Sequence, residues 1–159
     1  MSDVESRLEA AGFKLPDAAP PLFNYVPYVT AGNMVFVAGQ VPIGGQGDHK
    51  QEFKGKVGVD VDMDTARKAA EQCALNILTQ IRDSVGGDWS RVVRCVKLGG
   101  FVNCGPDFED QSVVINGASD LMVTALGEEK GKHARFAVGA PSLPAGFAVE
   151  IDAVFEIKP

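Results

Sequence analysis

Histidine and cysteine are scarce in this chain: two histidines, His49 and His133, and three cysteines, Cys73, Cys95 and Cys104, among 159 residues. No cysteines pair as CxxC and no Cys/His cluster has ligand spacing, which argues against a zinc site. A histidine-based nucleophilic triad lacks support for the same reason. An odd cysteine count in a chain with ample apolar residues points to reduced thiols and a cytoplasmic location. Basic runs are missing too. With 15 Lys and Arg against 21 Asp and Glu, a formal charge of −6 and a pI near 4.9, the chain lacks the clustered positive charge that drives binding to nucleic acid. The first residues, Met-Ser-Asp-Val-Glu-Ser-Arg-Leu, carry acids where a secretory leader carries positive charge. Residues 18–47 are uncharged, but Pro20, Pro21, Pro27 and Pro42 interrupt them, so no spanning helix and no membrane partner is expected.

What is present suits one soluble globular domain. Hydrophobic residues make up 45% and charged residues 23%, the proportions of an ordinary core and surface. Ser2 caps a short helix to about Ala11, with Val4, Leu8 and Ala11 inward and Gly12 as the stop. Pro16, Pro20 and Pro21 hold an extended linker, so residues 1–21 read as an N-terminal extension and 22–159 as the domain. A strand runs from Leu22 to Thr30, a turn falls at Ala31-Gly32-Asn33, and Met34 to Ala38 reads as a strand buried on both faces. Residues 44–58 read as a long surface loop. Asp62 or Asp64 caps the main helix, whose apolar stripe Ala66, Ala69, Ala70, Cys73, Ile77, Ile81 and Val85 recurs at three- and four-residue steps. That stripe makes core packing the expected role of Cys73. Gly86-Gly87 ends the helix, and Trp89 anchors the corner into a strand from Val92 to Asn103. A second helix from Pro106-Asp107 to Leu126 and an exposed loop over 128–133 follow.

Residues 134–157 complete the pattern as two strands around Pro141, Pro144 and Gly146. Arg135, Ala137 and Gly139 share one face of the first, with Phe136 and Val138 on the other. The second places Val149, Ile151, Ala153, Phe155 and Ile157 on an apolar face and Glu150, Asp152 and Glu156 opposite. The order of elements is α+β, with right-handed crossovers putting both helices on one face of a mixed sheet. The other face is expected to carry Arg135 and Glu150. It has no cover within one chain, which argues for oligomerisation with sites at the seams. A guanidinium fork and a carboxylate held together suit a small acid substrate and a water to be activated.

Two blocks then carry a resemblance. Gly32-Asn33-Met34-Val35-Phe36-Val37-Ala38-Gly39-Gln40-Val41-Pro42 is similar to a GN-(apolar strand)-SGQ-(I/V)-P motif. Ala134-Arg135-Phe136-Ala137-Val138, with Leu143-Pro144 and Val149-Glu150-Ile151-Asp152-Ala153, resembles an ARxxV…LP…(I/V)EI(E/D)A motif. Together they resemble the RidA/YjgF family of 2-imino-acid deaminases, formerly labelled L-PSP endoribonucleases, over residues 22–157.

The resemblance implies a chorismate-mutase-like fold and a homotrimer with clefts between subunits. It implies cofactor-free hydrolysis of reactive imines and enamines to 2-keto acids and ammonia. Arg135 matches the arginine that grips the substrate carboxylate and Glu150 the acid that positions water. Tyr25 and Asn116 match cleft-lining residues, and Ala38 with Gly39 matches the backbone that approaches the ligand. An imine already carries an electrophilic carbon, so orientation, one water and a carboxyl group suffice without metal or cofactor. Ala137 stands where the best-known deaminases have a cysteine, and Phe136 replaces a small serine. These departures motivate an alternative: a non-catalytic binder of small carboxylates such as 2-keto acids, with a sensory or chaperone-like role. Ribonuclease activity has only the old label behind it, against an acidic composition with no histidine pair.

Overall fold

The computed structural model describes residues 2–18, 24–44 and 53–159. Helix α1 (Asp3–Ala10) begins in a capping box: Ser2 Oγ accepts from the Glu5 amide at 3.2 Å, and the Ser2 amide donates to Glu5 Oε2 at 3.2 Å. Val4 and Leu8 are buried, and Arg7 Nη1 donates to the Ala125 carbonyl at 3.3 Å. Ala11 is the exposed cap rather than an inward residue.

Strands β1 (Tyr28–Ala31) and β2 (Met34–Gln40) form a hairpin closed by Gly32-Asn33, with Gly32 at a φ of 61°. That positive φ at the first central position is what a tight two-residue hairpin turn requires. The first strand starts at Tyr28, later than its sequence pattern suggests; residues 22 and 23 lie outside the described residues. Pro27 cannot donate to a ladder, yet its carbonyl still accepts from the Ala38 amide at 2.9 Å. Strand β2 is not buried on both faces as expected. Val35 and Val37 are buried, but Phe36 on the opposite face is 49% exposed, because no helix among the described residues covers that side of the sheet.

Asp62 Oδ1 accepts from the Thr65 amide at 2.8 Å and caps α2 (Met63–Ser84), whose apolar stripe is buried throughout. Gly86 and Gly87, at φ 64° and 84°, end it, and buried Trp89 makes the corner into β3 (Val92–Asn103). Helix α3 (Gln111–Leu126) starts later than Pro106-Asp107. A turn through Gly105–Phe108 comes first, and Gln111 Nε2 donates to the Phe108 carbonyl at 2.7 Å. A short helix α4 (Glu128–Gly131) occupies the segment expected to be loop, and β4 (Ala134–Ala140) and β5 (Val149–Ile157) follow. The segment that the sequence pattern gives as a surface loop, 44–58, is partly core. Phe53 and Val57 are buried, Lys54 bridges to Phe147 and Val57 to Cys104; residues 45–52 lie outside the described residues.

The five strands run in the order β1-β2-β5-β3-β4, with β3–β4 parallel and the other pairs antiparallel. Both long helices cover one face. A Cβ on Gly100 of β3 would lie 2.7 Å from the Ile115 side chain, and one on Gly117 of α3 would strike the Arg67 carbonyl of α2. Glycine at 117 therefore sets how closely the two helices approach. Among the described residues no helix is long and apolar enough to cross a membrane.

Candidate functional site

Arg135 and Glu150 do not share a sheet face. Arg135 lies on β4, the edge strand, and turns toward the helices: Nη1 donates to Ser119 Oγ at 3.0 Å and Nη2 to the Ser112 carbonyl at 3.1 Å, both on α3. Alternation within β4 is as the sequence predicts, because Ala137 packs on the core and Phe136 stacks edge-on against Phe101 across the sheet, 5.3 Å between ring centroids. Only the assignment of faces is reversed: Phe136 and Val138 join the uncovered side, and Arg135 the helix side. The physical reason is the edge position. At a margin a long charged side chain can lie beside a helix and still reach water, so polarity did not report which face it occupied.

Glu150 sits on the uncovered face of β5, opposite Phe101 of β3. It packs against backbone: a Cβ added to Gly39 would lie 2.5 Å from Glu150 Oε1. The β2–β5 register shifts between Val37 and Gln40, which turns Gly39 toward that carboxylate. Burial raises the Glu150 pKa above its ordinary value, and the neighbouring Asp152 carboxylate adds to the rise. The group thus holds a proton more readily than an exposed glutamate, as suits a general base near neutrality. Arg135 is level with Ala153 through Leu98. Two strand spacings and three residues along the strand then separate its backbone from that of Glu150 by roughly 14 Å.

The remaining candidates divide between these two places. Ala38 and Gly39 belong with Glu150. Tyr25 stands just before β1 at 49% exposure, and Pro27, two residues on, hydrogen bonds to Ala38. Asn116 belongs with Arg135, since Ser112, Asn116 and Ser119 fall on one stripe of α3 by helical spacing. Among the described residues the Asn116 side chain has no hydrogen-bond partner and is half-buried. Ser112 and Ser119 were not singled out from sequence. Their i and i+7 placement around Asn116 was the available signal.

The Cys73 and Cys95 thiols are poor nucleophiles. Burial drives the Cys73 pKa well above the ordinary value, with a smaller contribution from Glu150, and burial pushes Cys95 up to about 12. Among the described residues no group of three or more His, Cys, Asp and Glu side chains is arranged to hold a metal.

A mixed five-stranded sheet with two long helices on one face defines an α+β protein of chorismate-mutase-like fold. Residues 5–154 match the family described as "YjgF/chorismate mutase-like, putative endoribonuclease", and the chain belongs to that family. It is 45% identical over 155 residues to protein TCP17 of Trypanosoma cruzi, an alignment covering 98% of this chain and 94% of that one. The crystal structure of a protein of unknown function from Agrobacterium tumefaciens is 49% identical, with a TM-score of 0.88 over 98% of this chain and 93% of that one. The YjgF gene product of Escherichia coli shares the fold at 23% identity, with a TM-score of 0.59 over 90% of this chain and 94% of that one.

Proposed function

We propose that this protein hydrolyses reactive 2-imino acids to 2-keto acids and ammonia at a site made between subunits of a homotrimer. The observation that carries the reading is the state of Arg135. Its guanidinium is held by two neutral oxygens, and among the described residues no carboxylate pairs with it. A cation preorganised at a sheet margin and left without a counterion suits a small anionic ligand. Glu150 supplies the complementary function on the other face, and a neighbouring subunit would bring its Glu150 to this Arg135. The uncovered face supports that assembly, because Val29, Phe36, Phe101 and Val138 expose a large apolar surface there.

In the proposed reaction Arg135 anchors the carboxylate and Asn116 lines the cleft beside it. Glu150 takes a proton from water as the oxygen attacks the imine carbon. That proton passes to the imine nitrogen to give a carbinolamine; Glu150 then carries the hydroxyl proton to the amine, the C–N bond breaks, and ammonia leaves as the C=O forms. Arg135→Lys, which cannot reproduce the planar fork, is expected to lower kcat/KM at least 100-fold on imines generated by an amino-acid oxidase. Parental rates in that variant would reject the mechanism.

The placement of Glu150 away from Arg135 in a single subunit favours a second reading, a non-catalytic binder of 2-keto acids that uses the Arg135 half alone. Saturable calorimetric binding of pyruvate without imine turnover would select it.

A further inference from the structure

Behind Arg135 stands a chain of hydrogen bonds that neither reading above requires. His133 Nδ1 lies 2.6 Å from the Gly131 carbonyl, and Nε2 lies 3.0 Å from Ser119 Oγ. A carbonyl can only accept, so Nδ1 carries the proton, and the neutral ring presents its Nε2 lone pair to the serine. Ser119 must then donate its hydroxyl hydrogen to Nε2, which turns an oxygen lone pair toward Arg135 Nη1 at 3.0 Å. The donors run in one direction, from Arg135 to Ser119 to His133 to backbone.

The nearby charges are occupied elsewhere. Lys132 pairs with Glu128 at 2.7 Å and Asp120 with Arg67 at 3.4 Å, while Arg94 donates to the Lys132 carbonyl at 3.1 Å. Glu156, across the hollow lined by Arg94, His133 and Ala134, accepts from Asn33 at 3.1 Å. Burial lowers the His133 pKa; the hydrogen bond to the Gly131 carbonyl opposes it and the Arg135 charge, a smaller cause, adds to the lowering, and the net direction favours the neutral ring that the geometry needs.

We propose that Ser119 and His133 are positioning residues for Arg135: the neutral imidazole fixes the serine hydroxyl as an acceptor, and the serine in turn aims the guanidinium at the carboxylate of a 2-keto or 2-imino acid. This rests on the reading of Arg135 as the carboxylate anchor. Without the imidazole the hydroxyl rotates freely and spends part of its time pointing hydrogen at hydrogen. A glutamine at 133 keeps an amide oxygen able to accept from the serine; a phenylalanine keeps the ring volume without the acceptor.

The test is calorimetric titration with pyruvate of the full-length parent, Ser119→Ala, His133→Phe, His133→Gln and Arg135→Lys, together with imidazole nitrogen NMR of the parent. Ser119→Ala and His133→Phe are expected to weaken pyruvate binding about tenfold, the loss of one hydrogen bond to a charged group, with His133→Gln recovering most of it. The NMR spectrum is expected to show the Nδ1–H tautomer, with the Nε2 resonance shifting as pyruvate saturates the site. Parental affinity in Ser119→Ala and His133→Phe beside weak binding in Arg135→Lys would overturn the relay and leave the Arg135 reading standing. An Nε2–H tautomer in the parent would also overturn the relay alone. Absence of pyruvate binding in the parent would overturn both.

Discussion

The β4 margin and the β5 face hold charges of opposite sign by opposite means. Arg135 is fixed by side-chain and carbonyl oxygens of α3 and has no carboxylate partner among the described residues, while Glu150 is fixed by backbone shape, against Gly39, and is made a weaker acid by burial. One region is built to present a cation and the other to hold a proton. On the proposed reading neither is complete alone, which is the physical content of placing the chemistry at a seam.

Mixing subunits breaks the comparison most directly. Glu150→Gln is expected to cost about 100-fold or more in kcat, as loss of a general base does, while leaving pyruvate affinity near the parental value. Arg135→Ala should lose binding and turnover together. Unfolding and refolding the two inactive variants together should restore part of the parental imine hydrolysis, since some seams then pair an intact Arg135 with an intact Glu150. Failure to restore any activity would place both groups of a working site in one subunit.

Gly39→Ala comes next. Its methyl falls on the Glu150 carboxylate, so the carboxylate must shift; the expected result is about tenfold lower kcat with a stability loss of about 1–3 kcal/mol, read by turnover and denaturant unfolding. Binding of pyruvate should change less than turnover.

The pH response separates the halves more finely. The proposed reaction needs ionised Glu150, so the acid limb of the kcat/KM profile should lie above that of an ordinary glutamate. Asp152→Asn removes one negative neighbour and moves that limb to lower pH. Burial, the larger cause, remains, so the limb stays above the ordinary value. An unmoved limb would assign it to another group. The smallest effect is expected at Ser2→Ala, which removes the α1 cap: about 1 kcal/mol of stability by denaturant unfolding, with kcat/KM unchanged.

Where periodicity met a well-covered face, the sequence was legible. The α2 stripe, the β3 span, the Gly32-Asn33 turn and the alternation within β4 and β5 all follow from spacing, because burial of one side leaves little choice of register. What spacing does not carry is which side of a sheet an edge residue faces. Polar alternation puts Arg135 on the same face as Glu150, whereas in the structure its guanidinium lies against α3. Phe53 and Val57 were hidden among Gly, Lys, Gln and Asp, since two buried residues in irregular chain leave no period. Ser119 and His133 escaped because their significance lies in a contact between a helix and the residue two before Arg135, separated by 14 positions.

The position of β5 has a consequence for synthesis. The last strand of the chain is the middle strand of the sheet, and it joins β2, pairing Glu156 with Met34, to β3. Until residues 149–157 leave the ribosome, β2 and β3 have no common partner and each exposes a bare ladder edge. Closure therefore waits on contacts of very long sequence separation, a topology that folds slowly.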